Sequence, residues 1–276
     1  MKPLFIPGEQ GAIFCVYHPC ASRSLDQAIL YIPPFAEEMN KARLMVALQA
    51  RAFAEQGYAV LVPDLFGTGD SAGDFGDATW EIWLQNIGAA IDWLKQQGLT
   101  KVTLWGLRTG ALLALDFANR GYREIERSLC WQPVLNGDTF VTQFLRLRVA
   151  AAMMDNDAPR EKTSDLKRQL QDGQGIEVAG YRLNPDLIKP LMALRADQLA
   201  LPTLKKLAIF EVVANKEMQV SIANAQFLGK LQEKSVDAAL IKAVGDAFWA
   251  TQEITTAPDL ITLTSSHVAA FLDDTQ

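Results

Sequence analysis

Histidine is nearly absent from this chain: among 276 residues there are only His18 and His267. A mechanism that needs an imidazole base must use one of these two. Cysteine is as scarce, with Cys15, Cys20 and Cys130 an odd set without metal-ligand spacing. They read as reduced thiols, Cys15 and Cys130 inside strands, which excludes a disulfide scaffold and gives no case for a metal site or other cofactor. There is no basic excess: 26 Lys and Arg face 32 Asp and Glu, a formal charge of −6, so a nucleic-acid partner is not expected. No apolar run reaches the roughly 20 residues of a transmembrane segment. The first residues carry Lys2 but no apolar core of signal-peptide length, and the expected compartment is cytoplasmic. With 49% apolar and 21% charged residues the composition is that of an ordinary globule, long enough for one large α/β domain with an insertion.

What is present is a rhythm. Short apolar runs at 12–17, 28–32, 58–62, 101–105 and 125–131 are bounded by Gly and Pro and read as strands. Between them, 42–56, 79–97 and 108–119 have helical spacing. Alternation of this kind implies a mainly parallel sheet flanked by helices. It breaks over 137–205. There 139–154 reads as a helix, 155–174 is charged and polar, 176–183 is a small hairpin around Gly180, and Asn184 caps a helix opened by Pro185. It resumes with strands at 206–214 and 238–244 and helices at 220–232 and 258–272. The expectation is a core of residues 1–135 and 206–276, with a mostly helical cap insertion at 136–205.

The most informative stretch is Gly106-Leu107-Arg108-Thr109-Gly110, between an apolar strand and a small, apolar helix. This is the frame of a nucleophile elbow, whose central residue should be serine. Arg108 has no usable lone pair and stays protonated, so it is not an acyl-transfer nucleophile. Two readings stand: it holds an anionic group of a small-molecule ligand at a helix N-terminus, or it is neutralised by Glu37, Glu38 or Glu217. The N–H of Thr109, with that of Phe35 or Ala36 in the loop after the 28–32 strand, would form the oxyanion hole.

The base is missing as well. His18 lies too early for the Ser–acid–His order, and His267 is a packing or surface residue in the last helix. The loop after the last strand, where the base belongs, carries Phe248-Trp249. The acid position reads Asn215-Lys216-Glu217, with Glu217 as residual acid or ion-pair partner. Glu37, Glu38, Asn40, Trp131 and Gln132 are the expected pocket residues. The loop Asp64–Gly73 looks like a phosphate-cradling glycine loop but lacks a Lys-Ser/Thr pair, and it reads as a rigid connection. Phe140, Phe144 and Leu147 form a stripe that faces either the crevice or a second subunit of a homo-oligomer.

Four stretches together, beginning at Pro33-Pro34-Phe35-Ala36, Asp64-Leu65-Phe66-Gly67, Leu104-Trp105-Gly106 and Trp131-Gln132-Pro133, resemble the exosortase A system-associated hydrolases of type 2, over nearly the whole chain. The resemblance implies an α/β-hydrolase fold in bacteria that make exopolysaccharide and sort proteins by a C-terminal signal. The superfamily's triad would map to Arg108, Glu217 and Phe248 or Trp249, so two of its three functional groups are absent. Two functions follow: a ligand-binding protein that has lost the chemistry, or a hydrolase acting on an ester, thioester or acylated carbohydrate through another nucleophile.

Overall fold

A computed structural model describes residues 1–20, 26–121, 123, 125–154 and 161–272. The strands are β1 (Lys2–Gly8), β2 (Gly11–His18), β3 (Gln27–Ile32), β4 (Ala59–Pro63), β5 (Lys101–Leu107), β6 (Arg127–Trp131), β7 (Ile176–Val178), β8 (Tyr181–Leu183), β9 (Lys206–Val213) and β10 (Asp237–Val244). The helices are α1 (Glu37–Glu55), α2 (Trp80–Gln96), α3 (Thr109–Arg120), α4 (Gly137–Met154), α5 (Thr163–Gln171), α6 (Pro185–Ala193), α7 (Ile222–Glu233) and α8 (Pro258–Leu272). Eight strands form one sheet in the order β1-β2-β4-β3-β5-β6-β9-β10. From β4 to β10 the neighbours are parallel, whereas β1 and β2 pair antiparallel at one end. The central strands β3 and β6 are buried along their whole length, as a sheet covered on both faces requires. One face packs against α2 and α3, the other against α1 and α8. None of the described helices is long and apolar enough to cross a membrane.

Strand β1 is not among the runs read as strands. Pro3 and Pro7 interrupt its pattern, but β1 is an edge strand, where a missing N–H is tolerated. Helix α1 starts at Glu37, five residues before the expected 42, so both glutamates lie in its first turn, where acidic charge favours the helix dipole. The polar stretch at 155–174 contains α5, which buries only Leu166 and Leu170; residues 155–160 lie outside the described residues. The Asn184 cap is present: its side chain accepts from the Asp186 N–H at 2.9 Å. The glycine loop is a rigid connection: Ser71 Oγ donates to Asp64 O at 2.6 Å and accepts from Phe14 N–H at 2.8 Å, so it is held structurally.

Elements α4 to α6 fall between β6 and β9. Their apolar side chains, among them Leu145, Leu170, Leu187 and Leu191, are continuous with the core under α2 and α3.

Candidate ligand-binding crevice

The elbow forms because glycine stands where nothing larger fits. A Cβ on Gly106 would sit 2.4 Å from Ala111 Cα, and one on Gly110 would sit 2.2 Å from the Ile32 carbonyl oxygen. Helix α3 can therefore approach β3 and β5 closely. Between the glycines Arg108 takes φ 55°, ψ −119°, a strained conformation for a side chain with a Cβ. Backbone bonds hold it there. Its N–H donates to Trp131 O at 2.9 Å, and its carbonyl accepts from Ala111 and Val134 at 3.1 Å. Across the crevice Ala36 has nearly the same dihedrals, φ 53°, ψ −129°, at the start of α1. The N-termini of α1 and α3 thus meet at the carboxyl ends of β3 and β5. As the first residue of α3, Thr109 has an amide without an intrahelical acceptor.

The Arg108 side chain is paired internally. Nε and Nη2 both donate to Oε1 of Glu38 at 3.3 Å. Its guanidinium lies over the Trp249 ring, 5.4 Å from the centroid. The second Glu38 oxygen, Oε2, is buried without a hydrogen-bond partner among the described residues. Burial pushes the Glu38 carboxyl above the usual carboxylate range, and the Arg108 charge opposes this only in part. Of the three acids offered by the sequence, then, Glu38 is the partner.

Glu37 closes the crevice on another side. Tyr181 on β8 donates to its Oε2 at 3.0 Å, and Asn40 Nδ2 reaches the same oxygen at 3.3 Å. Burial and the neighbouring Glu37 push the Tyr181 phenol up to about 12. Lys41 donates to the Ala250 carbonyl at 3.5 Å. The cavity between these groups has a volume of about 440 Å³, with walls from Phe35, Phe140, Phe144, Tyr181 and Trp249. Its four charged residues, Glu37, Glu38, Lys41 and Arg108, cancel in sum. Replacing Tyr181 with Phe removes one exposed hydrogen bond between β8 and α1. The expected loss is about 0.5 kcal/mol by urea denaturation, with faster hydrogen exchange confined to β7 and β8.

Several expected site residues stand elsewhere. Trp131 is fully buried and its indole N–H donates to Thr264 Oγ1 at 3.0 Å. Gln132 locks the end of β6 to β9: its N–H donates to Phe210 O and its Oε1 accepts from Val212 N–H, both at 2.7 Å. Both serve the sheet, because a residue at a strand end can finish the ladder instead of lining the crevice. Asn40 is exposed and touches the site only through Glu37. Phe248 is fully buried, its ring centroid 5.0 Å from that of Trp249 and 6.2 Å from that of Trp131; of the aromatic pair only Trp249 lines the cavity. Glu217 is exposed in the turn after β9 and does not line the crevice. The buried acid of that region is Glu211, held by the Ser221 N–H at 2.8 Å and Asn224 Nδ2 at 2.8 Å. His267 packs against Phe210 and Phe271 in α8. Sequence reasoning missed Lys41 and Tyr181; the alternation of charge with aromatics gave no signal for either. The stripe Phe140, Phe144, Leu147 lines the crevice.

Residues 16–137 match the X-Pro dipeptidyl-peptidase (S15 family). A 138-residue stretch is 28% identical to the uncharacterized protein RP471 of Rickettsia prowazekii, covering 49% of this chain and 57% of that one. The chain thus spans little more than half the length of that relative. Among solved structures, Est1E of Butyrivibrio proteoclasticus with ferulic acid bound is 17% identical, covering 98% of this chain and 97% of that chain at a TM-score of 0.63. Mouse alpha/beta hydrolase domain-containing protein 10 is 14% identical, covering both chains fully at 0.61. At such identities the likeness is one of fold, and it agrees with the elbow and the parallel sheet: this chain has the α/β-hydrolase fold.

Proposed function

We propose that this protein is a ligand-binding member of the α/β-hydrolase fold that does not perform Ser–His acyl transfer, and that its ligand is an uncharged molecule carrying a ring or short apolar chain. One observation carries the reading: the elbow side chain is an arginine, already neutralised by Glu38 and covered by Trp249. An internally satisfied cation offers little to an anion, which moves the expected ligand from anionic to neutral. The aromatic walls favour stacking on a ring. Loss of nucleophile and base together removes on the order of 10⁶-fold from such a reaction.

In this reading the 136–205 insertion serves as a cap over the crevice. The resemblance to exosortase-associated hydrolases supports a role in exopolysaccharide production. A second reading, hydrolysis of an ester, thioester or acylated carbohydrate without the triad, is favoured by the amides of Ala36 and Thr109 at the elbow, which an oxyanion would need.

A fluorophosphonate probe that labels activated serines separates the two for serine chemistry. The expected result is no labelling of the purified protein; labelling above a heat-denatured control would overturn the proposal. The variant Arg108→Ser with Trp249→His, at the crevice-facing aromatic position, tests the triad mapping through gain of ester turnover.

A further inference from the structure

A second cavity, of about 190 Å³, lies away from the elbow crevice, between α1 and strands β2, β3 and β4. Its walls are aliphatic and thioether groups, chiefly Val16, Val62, Val46 and Met39. Two features set it apart from a packing defect. First, Tyr31 contributes to its lining, and the Tyr31 hydroxyl is buried with no hydrogen-bond partner among the described residues. A buried hydroxyl without a partner is costly, so a partner from outside the chain is favoured there. Second, the Arg43 and Asp64 charges at its rim already meet each other. Arg43 Nη2 meets Asp64 Oδ2 at 3.2 Å, and the same oxygen accepts the Asp70 N–H at 3.0 Å. His18, also in the lining, is held below its usual pKa by burial, so its imidazole is neutral near pH 7. The Arg43 side chain is about half exposed, which leaves the rim open to solvent.

We propose that this cavity is a second binding site, for a neutral single-ring molecule carrying one hydroxyl or carbonyl group that bonds to the Tyr31 hydroxyl. Size and chemistry agree. An engineered apolar cavity of about 150 Å³ takes up benzene, so this volume accommodates one ring and a small head. Met39 offers the sulfur–ring contact that favours an aromatic body. A carboxylate head would enter beside the Asp64 carboxylate, to which Arg43 is already paired.

The test titrates the full chain with benzyl alcohol, toluene and benzoate, followed by heteronuclear NMR. Saturable shifts at α1, β3 and β4 are expected with benzyl alcohol, and weaker ones with toluene. Ala47→Phe, which fills the cavity from the half-buried face of α1, is expected to abolish both. Tyr31→Phe is expected to weaken benzyl alcohol about tenfold, the loss of one buried hydrogen bond, and to leave toluene unchanged. No saturable binding, tighter binding of benzoate than of benzyl alcohol, equal benzyl alcohol affinity in Tyr31→Phe, or binding that persists in Ala47→Phe would each overturn the proposal. None of these outcomes depends on what the elbow crevice binds.

Discussion

Gly110→Ala is expected to leave no stably folded protein. The added Cβ would lie 2.2 Å from the Ile32 carbonyl oxygen and 2.5 Å from that of Pro33. Both are backbone atoms of the central strand's end, and no side-chain rotation relieves the contact. Either α3 moves away from β3 or β3 leaves its register with β5. The cost exceeds about 4 kcal/mol, a large share of the roughly 5–15 kcal/mol that holds a domain together. Gly121→Ala provides the comparison. That glycine ends α3 with φ 68° and has nothing within 4 Å of its ideal Cβ, so its replacement costs only the left-handed strain, about 1 kcal/mol. Soluble yield and urea denaturation of the two variants measure the difference. Equal stability would contradict the close approach on which the elbow rests.

Arg108→Met is expected to cost about 2 kcal/mol near pH 7. Truncating a fully buried ion pair costs about 3–5 kcal/mol because a charge is left behind, and here both side chains are about one-fifth exposed, which lowers the figure. The pH dependence identifies the mechanism. Burial raises the Glu38 carboxyl above its ordinary 4.5 in the folded chain. For an acid shifted this way the folded state holds the proton more tightly than the unfolded. Its contribution to stability is therefore full below the unfolded value and is lost as pH rises through the folded value. Without Arg108 the folded value climbs further. The deficit of the variant should then be largest at neutral pH and shrink as pH falls towards the ordinary carboxylate value. Adding Glu38→Gln should recover most of it, since no buried charge remains. A double-mutant cycle by urea denaturation at two pH values reads this coupling. Additive losses would mean that the two side chains do not act as a pair.

Much of the fold was legible because it is written in repeating apolar runs. The hairpin at Gly180, the Asn184 cap and helix α8 follow from local chemistry alone. The start of α1 was not, because Pro33-Pro34 suggests a loop and Ala36, held at φ 53°, is no recognisable cap. Helix α5 was hidden by its charge, since it is secured by only two leucines. In the crevice, the arginine at the elbow and its need for an acid could be read from Gly106 to Gly110. Which acid answers could not: Glu38 is chosen by α1 beginning early enough to turn that side chain towards α3. Tyr181 reaches Glu37 only because the small hairpin lies against α1, a tertiary fact without a local signature.

The central claim is that the crevice binds without hydrolysing. Incubating the purified chain with a neutral aryl ester and following the ester and its products together by proton NMR tests this most directly. The expected result is saturable line broadening of the ester and release of product no faster than in a control of buffer alone. Saturable product release by the wild type would contradict it, all the more if that activity were lost in Thr109→Pro, which removes the elbow amide.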